Sequence, residues 1–495
     1  MEKTEKIARR SYVKYVGAAI VVAAVAGGAG YYYLQSREAE ERKAGHFAGT
    51  EIAFMTPDPP ATEVLSQADD LLQKHGIKIK IIKTSLADHN EKMMMELTSH
   101  SGSVDVMEQM VEHVGMNYKY YVPMEEKVKE WGINLGDYVE YAIQDSGYFD
   151  EEHKFNPRGG GSVLYNLPNC ATMDIYPYRK DWFEDPNEQA AFKEKYEYDL
   201  MPPEDGYAWK EFCDVLEFFT RPEQGLYGYA EPLDPREAVV TTRPEAFTRK
   251  IYYTDANGVP SFNVPGNVEA LALHQYWYKQ GWVVPGSTAI TGDIVSEEML
   301  RGHCAVTLLW IHLSGPFESE DSPIKGKVGY MVSPSWKEPR GKPRPLPPGV
   351  TSWVVPGSTY NAPSGSWNIG VNKDSKHIDE AFVFCKWFLS TEVQKKGSLL
   401  TGFVGATKAV YDDPEIKEKF PYTLTARKCW SPEHSWICIP RVPEMGEMYG
   451  ATTNLIQEAM SKFRDPKEVL DECQAAVVKI WNKAGYPTEG EYAPW

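Results

Sequence analysis

Strands and helices alternate between residues 51 and 107, and this alternation constrains the fold more than any other feature of the sequence. Strand-like segments occupy 51–55, 77–81 and 104–107, and the middle one alternates apolar and charged residues. Helical spacing of apolar residues follows Thr62 and returns over 90–97. Such alternation predicts a parallel sheet covered by helices, with ligands bound at the carboxyl ends of its strands.

The length and charge of the chain restrict its function. With 495 residues, the chain is expected to form two or more domains or lobes, each with its own core. A formal net charge of −18 argues against nucleic-acid binding, because phosphate neutralisation needs a basic face. The aromatic residues, 14 Trp, 30 Tyr and 18 Phe, supply large cores or a cleft that stacks on flat ligand faces.

The seven cysteines are scattered and contain no CxxC pair, so we expect no zinc site and no cofactor. Cys429 and Cys438 are nine residues apart and can form a disulfide if the compartment is oxidising. An odd number leaves at least one thiol free or paired elsewhere.

The N-terminus carries the signature of an exported or anchored protein. Five Lys and Arg residues lie within residues 1–14, and residues 15–34 then contain no charge, which is long enough to span a bilayer. Arg9 and Arg10 also fit a twin-arginine export signal, and residues 24–26 fit a cleavage site. We therefore predict a signal or anchor segment over 1–35, a charged spacer over 36–49, and a folded body outside the cytoplasmic membrane.

Further elements follow in the middle of the chain. Strands are predicted at 163–168, 173–178, 304–310 and 328–331, and a helix with one buried apolar face at 207–219. Residues 333–365 are rich in Pro, Gly and Ser and are predicted to form an extended return connection.

The last part of the chain contains the most recognisable block, GSWNIGVNKDSKHIDEAFVFCKWFLS at 365–390. It is interpreted as a strand followed by a helix that Asp374 or Ser375 caps. Asp465, followed by Pro466 and Glu468, predicts the start of the final helix.

This order of pieces resembles the extracellular solute-binding proteins of ABC importers, most of all the sugar-binding branch that includes maltose-binding protein. The resemblance covers residues 50–485. It implies an α/β, two-lobed periplasmic-binding-protein fold of type II, in which each lobe is a mixed sheet flanked by helices and crossing strands join the lobes. By analogy, lobe 1 comprises 50–165 plus 335–402, and lobe 2 comprises 166–334 plus 403–495. The expected partners are a small solute, most readily a carbohydrate, and the subunits of an ABC permease.

The physical chemistry of sugar capture indicates which residue types to seek. Pyranose faces stack on Trp and Tyr, and hydroxyl groups bind carboxylates, amides and Arg. On this basis and on the positions that match the family, the candidate ligand-binding residues are Trp310, Trp367, Tyr449, Glu231, Asp58, Glu112, Glu108, Arg441, Tyr178 and Tyr165.

Several alternatives remain open at this point. The same fold can capture another solute such as glycerol phosphate or a polyamine, and a surface receptor can reuse the two lobes without transport. An enzyme is disfavoured, because the sequence contains no nucleophile elbow, HExxH, P-loop or Gly-rich dinucleotide turn. We therefore expect no catalytic residues and no metal site.

Overall fold

A computed structural model describes residues 47, 49–57, 64–65, 75–86, 88–234, 238–431, 433–437 and 439–495. The predicted N-terminal segment, Asp58, Cys438 and most of the helix predicted after Thr62 lie outside these residues. Within the described residues, no helix is both long and apolar enough to cross a membrane.

The strands of the described chain are short and spread along its length. They are β1 Glu51–Thr56, β2 Lys78–Lys83, β3 Val106–Met110, β4 Tyr148–Phe149, β5 Val163–Leu164, β6 Leu167–Cys170, β7 Asp174–Arg179, β8 Tyr227–Ala230, β9 Cys304–Thr307, β10 Leu309–Trp310, β11 Val328–Met331, β12 Ala362–Pro363, β13 Trp367–Val371 and β14 Ser435–Trp436.

Helices separate most of these strands. They are α1 His89–Ser99, α2 Val114–Asn117, α3 Glu125–Glu130, α4 Glu140–Ser146, α5 Lys180–Phe183, α6 Pro186–Tyr196, α7 Trp209–Phe219, α8 Ala238–Thr241, α9 Pro244–Phe247, α10 Pro265–Lys279, α11 Gly292–Leu300, α12 Ile378–Phe388, α13 Thr391–Thr401, α14 Lys408–Asp412, α15 Pro414–Lys419, α16 Tyr422–Lys428, α17 Met445–Lys462 and α18 Pro466–Ala484.

Two five-stranded mixed sheets form the centres of the two lobes. The first sheet has the order β2-β1-β3-β13-β6, in which β1 pairs in parallel with β2 and β3, and β13 runs antiparallel to β3 and β6. The second has the order β10-β7-β9-β8, with β11 also paired to β7. The predicted parallel start of the chain is confirmed.

Three crossing segments connect the lobes. The first, residues 171–173, joins β6 to β7, and the second, residues 361–366, leads into β13 from the second lobe. These two lie side by side, because the Gly365 amide donates to the Thr172 carbonyl at 3.0 Å. The third comprises the described residues between 430 and 441 and contains β14, which pairs in parallel with β12 of the second segment.

The hydrophobic clusters divide the chain differently from the predicted lobe boundaries. Buried residues from 404 to 429 pack in the same cluster as Ile52, Phe54 and Ile369 of the first sheet. Trp336 and Val350 pack in the cluster of Trp209 and Tyr229 in the second lobe. Residues 336–355 therefore belong with the second lobe and 404–429 with the first, because each segment buries its apolar side chains there.

The strand predicted over 304–310 forms as β9 and β10 on either side of Leu308; both run antiparallel to β7, and β9 also pairs with β8. The predicted cap of α12 is wrong. Neither Asp374 nor Ser375 caps α12, which begins after His377. The Ser375 hydroxyl instead donates to Asp105 Oδ1 at 2.5 Å. The cap at Asp465 is confirmed, since its side chain accepts from the Glu468 amide at 3.0 Å.

The cysteines of the described residues are buried free thiols, Cys429 among them. Burial raises the pKa of the Cys429 thiol to about 12, although the charge of Lys428 lowers it. This thiol is therefore protonated and unreactive at neutral pH.

Candidate functional site

Two tryptophans lie where the crossing segments meet the sheets. Trp310 ends β10 in the second lobe and is half-buried. Its ring covers the backbone of the second crossing segment so closely that a Cβ at Gly365 would lie 2.7 Å from a ring carbon. Trp367 begins β13 two residues later, between Met110 and Cys170 of the neighbouring strands, and is 9 % exposed. The structure therefore packs the Trp310 ring over Gly365, two residues before Trp367 in the chain.

A buried carboxyl group lies beside Trp367 on the same face of the first sheet. Glu108 is opposite Ile369, and residues 367 and 369 share one face of β13. Its carboxyl oxygens accept hydrogen bonds from the Thr56 hydroxyl and the Asn169 amide. Burial raises the pKa of Glu108 to about 7, with these two hydrogen bonds opposing the rise. Near neutral pH this group thus carries only part of a negative charge.

We call Trp310, Trp367 and Glu108 the floor of the candidate site; Glu112 and Tyr449 lie on different lobes. Glu112 is half-buried in a short 3₁₀ turn after β3, and the preceding Val111 amide donates to the Ser366 carbonyl of the second crossing segment at 3.1 Å. Tyr449 is half-buried in α17, with its ring 6.4 Å from that of Tyr253. Asp58 lies outside the described residues.

Glu231 is fully buried at the end of β8 and is engaged by a histidine. His274 Nε2 lies 2.6 Å from Glu231 Oε1, and His274 Nδ1 lies 3.0 Å from Glu245 Oε1. Burial lowers the pKa of His274, but the charges of Glu231 and Glu245 outweigh it and raise the pKa to about 10. The imidazole is therefore a cation that joins two carboxylates inside the second lobe.

Arg441 is also fully buried, and its guanidinium is engaged by main-chain carbonyls. It donates to the carbonyls of Tyr148 and Gly160 at 2.6 Å each, and to those of Asp145 and His153 at 3.3 and 3.2 Å. This geometry fixes a loop of the first lobe against the third crossing segment, and it gives Arg441 a structural role.

Tyr178 and Tyr165, the other two tyrosines among the predicted site residues, pack against aromatic rings within their own lobes. Tyr178 is buried in the second-lobe core, 4.8 Å from the ring of Phe183. Tyr165 is half-buried in the first lobe, 5.4 Å from the ring of Tyr118.

Sequence reasoning missed several polar residues at the floor. Asp174 lies opposite Trp310 in the pairing of β7 with β10, and Asn169 and Thr56 bind Glu108. His312, two residues after Trp310, receives or donates a hydrogen bond at 2.9 Å with Thr172 Oγ1 and stacks on Phe403 of the first lobe at 4.3 Å. These residues could have been found from the sequence by their positions at or near the ends of predicted strands.

The described residues contain no group of three His, Cys, Asp or Glu side chains arranged to hold a metal ion. The floor thus combines the half-buried indole of Trp310 with the buried side chains of Trp367, Thr56, Glu108 and Asn169. Such an arrangement can stack on an apolar ligand face and exchange hydrogen bonds with hydroxyl groups around its edge.

Comparison with known proteins identifies the family of this chain. The model of the bacterial extracellular solute-binding proteins matches residues 66–421. The chain belongs to this family. As a member of an extracellular family, this solute-binding protein has its folded body on the outer side of the cytoplasmic membrane.

The relatives of this solute-binding protein are distant in sequence. A galactooligosaccharide-binding protein of Bacillus subtilis is 22 % identical over 401 residues, covering 81 % of this chain and 82 % of that one. A probable amino-acid ABC transporter periplasmic-binding protein of Sinorhizobium fredii is 20 % identical over 454 residues, covering 89 % and 91 %.

Solved structures confirm the two-lobed periplasmic-binding-protein fold. An ABC transporter solute-binding protein of Agrobacterium radiobacter in complex with ribitol superimposes with a TM-score of 0.70 at 20 % identity, covering 88 % of this chain and 99 % of that one. A maltose-bound protein of T. maritima superimposes with a TM-score of 0.67 at 18 % identity, covering 86 % and 98 %.

Proposed function

We propose that this solute-binding protein captures a sugar, oligosaccharide or related polyol between its lobes and delivers it to an ABC permease. The observation that carries the proposal is the packing of Trp310 over Gly365, directly before β13, which carries Trp367 and lies opposite Glu108. Indole faces bind the C–H faces of sugars, and the surrounding polar groups exchange hydrogen bonds with hydroxyls. The names of the relatives, which include galactooligosaccharide-binding and ribitol-bound proteins, support this ligand class.

The predicted site residues have proposed roles in binding the solute. Trp310 and Trp367 stack on the ligand, Glu112 and Tyr449 line the two walls, and Asp58 follows the carboxyl end of β1. Residues 15–34 hold the protein at the membrane or direct its export. The assigned role is binding without catalysis, since members of the family are solute-binding proteins.

A thermal-shift screen of the full chain tests the ligand class. The compounds are maltose, galactooligosaccharides, ribitol and mannitol, with spermidine and glycerol phosphate as the competing classes. A ligand that binds only the folded state adds about 2.7 kcal/mol of stability at a hundredfold excess over its Kd. We expect a hit among the sugars or polyols.

The matched variants are Trp310→Ala and Trp367→Ala, which should abolish the shift, and Trp182→Ala, which should retain it. Trp182 is a half-buried tryptophan of the second lobe whose ring stacks on Arg179 at 4.0 Å, away from the crossing segments. A hit confined to spermidine or glycerol phosphate would overturn the sugar proposal. If a sugar still raised the melting temperature of both Trp310→Ala and Trp367→Ala, the ligand would bind elsewhere.

A further inference from the structure

A loop of the first lobe extends into the second lobe. We call residues 147–161, between α4 and β5, the clasp loop. Both ends of it are rooted in the first lobe, because Tyr141 and Ala142 of α4 and Leu164 of β5 lie in the first hydrophobic cluster. The middle of the loop packs elsewhere.

Phe155, at the centre of the clasp loop, inserts among aromatic residues of the second lobe. Its ring lies 6.3 Å from that of Trp481 and 5.3 Å, edge to face, from that of Tyr486. Lys154 Nζ lies 4.5 Å from the centre of the Tyr486 ring. Gly258 has a φ of +80° and leaves room for the insertion, since a Cβ there would lie 2.6 Å from a ring carbon of Phe155. The half-buried ring therefore packs against the second-lobe cluster of buried residues that includes Phe247, Leu271 and Trp481.

Hydrogen bonds fasten the same loop to the third crossing segment. The Arg441 guanidinium binds the carbonyls of Tyr148, His153 and Gly160, all in the loop. The main chain adds two more contacts, from the Arg441 amide to the Lys154 carbonyl at 2.7 Å and from the Ile437 amide to the Pro157 carbonyl at 2.8 Å. Charge-assisted bonds of this kind are stronger than neutral ones, so the loop and this segment form one unit.

A side-chain bridge joins the base of the loop to the second crossing segment as well. The Ser364 hydroxyl donates to Asp145 Oδ2 in α4, two residues before the loop begins. Ser364 precedes Gly365, over which the Trp310 ring packs. The base of the loop is thus linked, through Ser364 and Gly365, to the segment on which Trp310 packs.

We propose that the clasp loop is a further non-covalent connection between the lobes, in addition to the crossing segments and the stacking of His312 on Phe403, and that it limits how far the cleft opens. The three crossing segments are the places about which the lobes rotate. Trp481 and Tyr486 belong to α18 and the turn after it, not to any crossing segment, so the Phe155 contact restrains rotation from a separate point. Wider opening requires the ring to leave this core. The proposal depends on the two lobes and not on which solute they capture.

Distances between spin labels on the full chain test the restraint directly. Labels are attached through Met95→Cys in α1 of the first lobe and Glu297→Cys in α11 of the second, whose side chains are exposed. The native cysteines of the described residues are buried, and Cys438→Ser completes the background. In the ligand-free protein, we expect Phe155→Ala to broaden the distance distribution and shift it to longer distances, and Phe155→Leu to shift it less.

The control is Phe463→Ala, which removes an equally large ring that is 43 % exposed and contacts Lys279 of its own lobe. It should leave the distribution unchanged. A distribution unchanged by Phe155→Ala would overturn the proposal. If that variant fails to fold, Phe155→Leu decides in the same way, since it keeps an apolar side chain in the core.

Discussion

His274 binds a proton between two buried carboxylates, and this arrangement makes folding depend on pH. The unfolded histidine titrates near pH 6.5, whereas its pKa in the folded protein is about 10. Between these values the folded state binds the proton and the unfolded state does not. The stability from this group is therefore fully present below about pH 6.5 and is lost as pH rises through 10.

Replacing His274 by glutamine should destabilise the protein by about 3–5 kcal/mol at pH 6, because two buried carboxylates lose their cation. The difference from wild type should shrink as pH approaches 10, where the wild-type imidazole is also neutral. Urea unfolding at pH 6, 8 and 10 measures it. A difference that is constant across this range would show that the proton is not held between Glu231 and Glu245.

Glu108 gives a pH dependence of the same sign in a lower pH range. Because burial raises its pKa to about 7, the folded state keeps a proton that the unfolded state releases near pH 4.5. Wild type should therefore lose stability relative to Glu108→Gln as pH rises from 4.5 to 7, and the difference should level off above that. Urea midpoints between pH 4.5 and 8 measure this.

The exposed Glu126→Gln substitution is the control for Glu108 and should leave the urea midpoint unchanged throughout. If the urea midpoints of wild type and Glu108→Gln changed with pH in the same way, the raised pKa of the Glu108 carboxyl would be contradicted.

At the scale of elements, the Pro-rich segment 333–358 is a basic strap on an acidic surface of the second lobe. Its composition predicted an extended connection, but not where that connection would lie. Its cations face carboxylates on and around α6 and α7, in the pairs Lys337–Asp205, Arg340–Glu211, Lys342–Glu197, Arg344–Asp214 and Arg344–Glu217. Ion pairing over long sequence separations leaves no periodic signal, so no pattern in the sequence indicates on which lobe this segment packs.

Arg344→Ala should lower the free energy of unfolding by about 3 kcal/mol, because Asp214 is buried and would keep only Lys210, at 2.8 Å, as a cation. Lys325→Ala, which removes an exposed pair with Glu320, should leave the denaturation midpoint unchanged. Equal effects of the two substitutions would contradict the view that the strap is held by buried ion pairs.

The sequence predicted elements well where a strong periodic pattern coincided with burial. The apolar face of α7 and the alternation of β2 are such cases, and both form close to their predicted positions. It failed at the cap of α12, where the Ser375 hydroxyl donates to Asp105, a residue far away in the sequence. Such a distant partner leaves no local pattern.

For the whole molecule, the order of elements along the chain was enough to predict two lobes and crossing segments, and the family and fold confirm it. The candidate site was harder to predict, because residues such as Glu231 and Arg441 match family positions yet are buried among partners supplied by distant segments. Only the three-dimensional structure shows that His274 engages Glu231 and that four carbonyls engage Arg441.

Capture between the lobes means that a solute is held at Trp310 and Trp367. The distance between labels at Met95→Cys and Glu297→Cys, with and without the compound that gives the largest thermal shift, tests this. We expect a shorter distance and a narrower distribution when the compound is bound, and no change with Trp367→Ala at the same concentration. A compound that binds and stabilises the protein while the distance stays as in the free protein would contradict capture between the lobes.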